Sequence, residues 1–174
     1  HDAVGEMIRK AAMKARVTRD NYAMSLWRDA QTGGTFTTGD GASLESNTHT
    51  NLNGDTVDNL ITGALTPTTL ETAIITLREK VDQSGDIVGH EPHCLLVPSA
   101  LYKDACEILD SEYEADTADN NVNVYSSKYQ IFLKTSPYLG AAAGGSDVQW
   151  HLMSRNHSVM RFVRQNVETD LVPP

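Results

Sequence analysis

A chain of 174 residues, 40% of them hydrophobic, is long enough to bury a core, and its length favours one domain or two small ones. Its 23 acidic residues outnumber its 14 basic ones and give a formal charge of -9, which argues against sequence-specific nucleic acid binding through a basic surface. No apolar run approaches the roughly 18 to 20 residues of a membrane span, and the start does not resemble a signal peptide, so we expect no membrane association.

The first predicted element is a helix over residues 3–31. One face carries an apolar stripe made of Val4, Met7, Ile8, Ala11, Ala12 and Ala15. The other face carries the only concentration of basic residues in the chain, namely Arg9, Lys10, Lys14, Arg16 and Arg19. We interpret this basic face as solvated, and an electrostatic contact with an acidic neighbour is the alternative.

A polar segment follows from 32 to 63, rich in Gly, Thr, Asn, Asp and Ser. Gly39-Asp40-Gly41 and Asn53-Gly54 are turn signals, so we predict an extended loop that contains a hairpin. A loop longer than about 12 to 15 residues is usually functional or disordered. We expect that so polar a segment does not anchor itself in the core of its own subunit.

The clearest predicted helix spans 67–84. Thr66 is suited to cap it, Pro67 fits its first position and Gly85 ends it. An apolar stripe runs along one face through Leu70, Ile74, Leu77 and Val81. A helix of some 18 residues would form a rod of about 27 Å.

A buried strand over 94–97 is predicted next, and Pro98 ends it. Ser99 is placed to cap a helix whose inward side chains are Leu101, Ala105, Ile108 and Leu109. Seven acidic residues and no base occur between 104 and 119, and such a cluster requires hydration, cations or a basic partner. Further strands are predicted over 122–125, 129–133, 149–153 and 158–163, which makes the fold class α+β.

The sequence contains no recognisable catalytic constellation. His90 and His93 are weak metal-ligand candidates that would need a further ligand such as His49 or His151, and we favour a polar loop without metal. Cys94 and Cys106 lack metal-type spacing, and we interpret them as buried free thiols. We therefore predict no enzyme activity, no catalytic residue and no cofactor.

Three segments in series resemble the major capsid protein (major head subunit) of tailed bacteriophages, in the Mu-like branch of the Hong Kong 97-type capsid fold. The segments are GDGASLESNTHTN (39–51), LTPTTLETAIITLREKVDQSG (65–85) and HCLLVPSALYKDACEIL (93–109). In the first segment the matching residues are Asp40, Gly41, Leu44 and His49, and Glu45 stands where that family usually has an aromatic residue. The segment 147–165 is similar to the family's return strand.

The resemblance implies a structural subunit that assembles with itself into the pentamers and hexamers of a shell enclosing DNA. It implies a peripheral-type domain over 1–93 with a spine helix at 67–84 and an extended loop at about 28–62, an axial-type domain over 94–144, and return strands over 145–174. Expected partners are other copies and, further, scaffold or portal proteins. The expected location is the virion capsid, reached through the host bacterial cytoplasm during assembly.

Subunit contacts are expected at two places under this resemblance. The loop would contact a neighbouring subunit through the positions Asp40, Gly41, Leu44, Glu45 and His49. The acidic residues Glu112, Glu114 and Asp116 would crowd near a symmetry axis, where cations or bases must counter them. Because the chain begins at His1 without methionine and stops at Pro174, we expect a fragment or a processed product.

Two other functions stay open at this point. A phage tail or surface-adhesion module would also need no catalytic group, although such modules are typically built from β-sheets alone. A metal-dependent hydrolase would have to use His90 and His93 with a distant third ligand.

Overall fold

The computed structural model describes residues 3–34, 36–112, 122–157, 159, 160 and 162. Within them a three-stranded sheet has the C-terminal end of one long helix on one face and three shorter helices on the other. The fold class α+β is confirmed. The predicted 158–163 strand and the acidic residues Glu114 and Asp116 fall wholly or largely outside the described residues.

Helix α1 spans Ala3–Arg28, close to the predicted range. None of its described residues is buried. Near its C-terminal end, Ala23, Met24 and Trp27 line a pocket over the sheet, and the Arg28 guanidinium donates to the carbonyl of Tyr138 at 3.2 Å. The N-terminal part of α1 has mostly exposed side chains.

The predicted hairpin is confirmed as two short antiparallel strands, β1 (His49–Thr50) and β2 (Thr56–Val57). Asn51 closes its turn, because its side-chain oxygen accepts from the backbone N–H groups of Asn53 and Asp55 at 3.1 and 2.8 Å. Gly54 in this turn has a φ of 87°, which lies in the left-handed region that favours glycine.

The polar segment is attached to its own subunit by surface hydrogen bonds. Asn53 donates to the carbonyl of Ser84 at 2.7 Å, the Leu52 amide donates to Gln83 at 3.2 Å, and the Lys80 ammonium donates to the carbonyl of Asp58. Burial lowers the pKa of Lys80. Because this segment has few apolar residues, hydrogen bonds to backbone groups hold it in place.

Helix α2 spans Pro67–Arg78 and begins as predicted. The Thr66 hydroxyl accepts from the Thr69 amide at 3.1 Å, while the Thr69 hydroxyl accepts from the Thr66 amide at 2.9 Å. This reciprocal capping box satisfies two backbone donors that the first turn of a helix leaves unpaired.

The predicted C-terminal end of this helix is wrong, since α2 has 12 residues rather than 18. Asp82 forms a local turn, because its carboxylate accepts from the backbone N–H groups of Ser84 and Asp86 at 2.7 and 3.1 Å. The turn pairs Val81 with Ile87 in an antiparallel bridge. An aspartate that bonds its own backbone offers the chain an alternative to helix, so the rod is about 18 Å long.

The main sheet is mixed and has the order β4-β3-β5. Strand β3 (Pro92–Pro98) is longer than predicted, whereas β4 (Phe132–Ser136) and β5 (His151–Ser154) lie slightly later in the chain than predicted. β3 pairs in parallel with β4 and antiparallel with β5. The parallel pair requires a crossover, and the helices between β3 and β4 supply it.

Two predictions fail in that crossover. Ser99 makes no side-chain cap; instead it begins a 3₁₀ turn (Ser99–Leu101) that leads into α3 (Tyr102–Asp110). The predicted strand over 122–125 is in fact a short helix, α4 (Val124–Ser127). The side-chain oxygen of Asn123 caps this helix by accepting from the backbone amide of Tyr125 at 2.9 Å. The side-chain amide of Asn123 donates to the carbonyl of Ile108 at 2.7 Å.

One hydrophobic cluster joins α2, α3, α4 and one face of the sheet. The cluster consists of Leu65, Leu70, Ala73, Ile74, Leu95, Val97, Ala105, Ile108, Leu109, Tyr125 and Trp150. Its members come from all three predicted segments, 1–93, 94–144 and 145–174. The division of these segments into domains stays a prediction.

Candidate functional site

Several loop residues that were predicted to contact a neighbouring subunit lie together in a compact turn around Asp40. One carboxylate oxygen accepts from the Thr38 hydroxyl and from the Ala42 amide, the latter at 3.1 Å. The other lies 2.8 Å from Nδ1 of His49, whose Nε2 lies 3.3 Å from the carbonyl of Leu44. The structure therefore brings these loop residues together within one subunit.

Gly41 lies at the apex of this turn with a φ of 82°. Its amide donates to the carbonyl of Thr38 at 2.9 Å, and the Thr38 amide donates to Ala42 at 2.9 Å. A residue with a Cβ atom is strained at this φ, so the turn requires glycine here.

Glu45 attaches the loop to the body. One oxygen of its carboxylate lies 2.5 Å from Nδ1 of His151 on strand β5, and the other accepts from the side-chain amide of Gln31 at 3.0 Å. His151 is 2% exposed, and its ring lies 5.3 Å from that of Trp27. The glutamate therefore forms a nearly buried polar anchor at the position where the resembling family usually has an aromatic residue.

Asn59 holds the segment next to Glu45 in place. Its side-chain oxygen accepts from the Ser46 amide at 2.7 Å, and its side-chain amide donates to the carbonyl of Leu44 at 2.9 Å. Sequence reasoning did not identify Asn59, and it considered His151 only as a metal ligand. Nothing in the local sequence indicates either contact, because Glu45 is 106 positions from His151, and the partners of Asn59 are 13 and 15 positions away.

The whole arrangement is a set of positioned backbone and side-chain hydrogen bonds on a loop. The sequence matches the family of phage capsid proteins over residues 1–170. This chain belongs to the phage capsid protein family. No curated protein and no solved structure matches it. The family is structural rather than enzymatic, so the chain is a capsid protein whose place is the virion.

The acidic contact candidates of this capsid protein are described only in part. Glu112 is exposed, and its backbone carbonyl accepts from the Asn123 amide at 3.1 Å. Asp104, Glu107 and Asp110 are exposed on α3. Glu114 and Asp116 lie outside the described residues, so their proximity to Glu112 is a prediction.

The weak metal candidates of the capsid protein are not assembled into a site. Among the described residues, no group of three or more His, Cys, Asp or Glu side chains could hold a metal ion. The ring of His93 packs edge-on against Phe132 with 5.0 Å between centroids. His49 and His151, the suggested further ligands, are each bonded to a carboxylate.

Neither cysteine of the capsid protein forms a disulfide in the described part of the chain. Both are free thiols as predicted, and each is partly rather than completely buried. Burial raises the pKa of the Cys94 thiol, which keeps it protonated and unreactive.

Among the described residues, none of the helices combines the length and the apolar character that a membrane span requires.

The Asp40 turn should be sensitive to acid. Hydrogen bonds from the Thr38 hydroxyl, the His49 ring and the Ala42 amide hold the pKa of Asp40 well below its usual range. A carboxylate with a lowered folded-state pKa stabilises the turn above the unfolded value of about 3.9, and this contribution is lost as the pH falls towards the folded value. The turn should therefore loosen below about pH 4.

Hydrogen exchange at the Ala42 amide tests this prediction. After correction for intrinsic exchange, protection should fall between about pH 5 and about pH 2 in the wild type. Asp40→Asn is the matched control, which should be less protected at the higher pH and show a flatter profile. A wild-type profile as flat as that of Asp40→Asn would contradict the role of the carboxylate.

Proposed function

We propose that this capsid protein assembles with copies of itself into pentamers and hexamers of an icosahedral bacteriophage shell that encloses DNA. The family match over residues 1–170 is the observation that carries the proposal. An extended helix with no buried described residue supports it, because such an element gains stability mainly by packing against something else. Many modest contacts can then sum to a stable shell.

We further propose the Hong Kong 97-type arrangement in its Mu-like branch. Residues 1–93 and 145–174 would form the peripheral-type domain, with α2 as its spine, and 94–144 the axial-type domain near the symmetry axes. The mixed sheet and the helix α2 support this proposal. Scaffold and portal proteins would be further partners, and assembly would take place in the host bacterial cytoplasm.

The loop at about 28–62 would contact a neighbour while remaining attached to its own body. Glu45 and Asn59 hold its base, and the hairpin tip presents Leu52, which is 84% exposed. An apolar side chain at the tip of an anchored hairpin is suited to fit a neighbouring subunit. Asp40, Gly41, Leu44 and His49 would shape this loop, and Glu112, Glu114 and Asp116 would lie near an axis.

Electron microscopy of the purified protein tests the assembly. Rings with five or six subunits, or closed shells, are the expected result over a concentration series. A protein that stays monomeric under every salt and concentration condition would refute the proposed assembly. Light scattering on the same samples gives the mass of the particles independently.

A further inference from the structure

The N-terminal part of α1 has a charge opposite to that of the rest of the chain. Residues 3–19 hold five basic residues and one acidic residue, Glu6, which leaves nine basic and 22 acidic residues elsewhere in the chain. Most side chains of residues 3–19 are exposed, including the apolar Val4 at 55% and Met7 at 70%. This basic helical segment has no apolar partner in the described part of the subunit.

The apolar stripe of this segment is bordered by bases. At 100° per residue, Val4, Met7, Ile8, Ala11 and Ala15 fall on one face. Lys14 borders this face on one side and Arg19 borders it on the other. Two other bases, Arg9 and Arg16, point to the opposite face. The segment thus presents a narrow apolar strip with a cation along each edge.

A groove of complementary chemistry lies between α2 and α3. Its volume is about 690 Å³. Ile75, which is 46% exposed, contributes to its apolar lining together with Ile108 and Tyr125. Acidic side chains line both walls, with Glu71 on the α2 wall and Asp104 and Glu107 on the α3 wall. The groove therefore pairs an apolar floor with acidic edges.

Glu71 provides an independent sign that this groove lacks a partner. Its Oε2 atom is buried and has no hydrogen-bond partner in the described part of the chain. A carboxylate oxygen without a donor is costly to bury, and a cation brought into the groove would offset that cost.

The sheet separates α1 from this groove within one subunit. Cys94 and Leu96 on β3 face the pocket beneath the C-terminal end of α1, whereas Leu95 and Val97 belong to the cluster with α2 and α3. Successive strand residues point to opposite faces. The segment 3–19 of the same subunit is also absent from the described lining of the groove. An α1 helix that occupies the groove therefore comes from another copy.

We propose that residues 3–19 of one subunit dock into the α2–α3 groove of a second copy. The apolar stripe covers Ile75, and Lys14 and Arg19 pair with the acidic walls. This inference rests on the proposed function and specifies one of its subunit contacts. Packaged DNA would also attract a basic helix. DNA phosphates, however, do not require an apolar stripe between the basic side chains, whereas the apolar floor of the groove does.

A charge exchange tests this contact. Sedimentation velocity over a concentration series measures self-association of the whole chain. We expect K14E/R19E and D104K/E107K each to weaken it about 100-fold, because every reversed charge then meets a like charge. An equimolar mixture of the two variants should recover a large part of the association. In the mixture the unaltered helix of D104K/E107K meets the unaltered groove of K14E/R19E, while the altered helix meets reversed charges on the α3 wall and the unchanged Glu71 on the α2 wall.

The matched control is R9E/R16E, which changes the net charge by the same amount on the opposite face of α1. It should associate like the wild type, because Arg9 and Arg16 lie away from the proposed contact. All the altered residues are exposed, so the variants should fold normally, and unchanged far-UV circular dichroism would verify this. The neutral pair K14Q/R19Q should weaken association less than charge reversal does.

Three results would overturn the contact. In the first, K14E/R19E associates normally. In the second, the mixture shows no recovery. In the third, R9E/R16E is as defective as K14E/R19E and both lose duplex DNA binding, which indicates a nucleic acid partner. Shells formed by K14E/R19E would leave the proposed function standing while removing this contact, whereas a wild type that never associates would remove both.

Discussion

Ile74→Ala should lower the free energy of unfolding by about 3 kcal/mol. Ile74 is 0% exposed on α2 and belongs to the cluster that includes Leu95 and Ile108. Truncation removes buried methyl and methylene groups and leaves a cavity that the helix and the sheet fill only partly. Urea unfolding followed by circular dichroism measures the loss.

The neighbouring residue provides the control. Ile75 is 46% exposed on the groove side of α2, so Ile75→Ala should cost about 1 kcal/mol or less. The same substitution should nevertheless weaken self-association if the groove is an interface. Equal losses of stability from the two variants would mean that α2 does not pack on the sheet through the face described here.

His151→Ala should destabilise the protein by about 3 kcal/mol and release the loop. The histidine side chain is 1% exposed and lies 2.5 Å from Glu45. Its removal leaves a largely buried carboxylate with Gln31 as its remaining side-chain donor, and it creates a cavity beside Trp27. Limited proteolysis within 32–63 should be faster in the variant, and urea unfolding gives the free energy.

His49→Ala is a chemically matched control, because His49 also contacts a carboxylate, Asp40, at 2.8 Å. That pair is more solvated, with side-chain exposures of 15% and 26%. Its removal should cost about 1 kcal/mol. If His49→Ala lost as much free energy of unfolding as His151→Ala does, burial would not determine how much each histidine–carboxylate pair contributes to stability.

The sequence predicted the elements that local chemistry determines. The periodicity of α1, the Thr66-Pro67 start of α2 and the Asn53-Gly54 turn each depend on residues close in the chain, and all three are present. The continuous burial of residues 95–98 in β3 follows from its position between two layers, which a short apolar run can indicate.

The failures occurred where distant or competing contacts decide. The apolar stripe of α2 continues to Val81, but the Asp82 turn and the pairing of Val81 with Ile87 end the helix earlier. The residues of α4 have strand-forming character, yet Asn123 caps a helix and bonds Ile108 on α3. A side chain that caps the next helix and also bonds a carbonyl 15 positions away is not evident from a local pattern.

The turn at Asp40 was indicated by the sequence Gly39-Asp40-Gly41, whereas the contact between Glu45 and His151 was not anticipated. The resemblance singled out Asp40 and His49 as subunit-contact candidates, and that role stays a prediction. Glu45 was noted as a departure from an aromatic position. The structure gives the departure a physical basis, since a buried histidine on β5 replaces apolar packing with a short polar contact.

Among the described residues, the buried hydrophobic cluster takes none from α1, and Ile61 is the loop residue that packs against it. Helix α1 therefore adds little apolar packing to the body, whereas the contact between Glu45 and His151 ties the loop to it. Such a subunit can exchange its N-terminal segment between alternative positions without first melting its interior. Particle growth and particle rearrangement would then proceed through reversible, low-barrier steps.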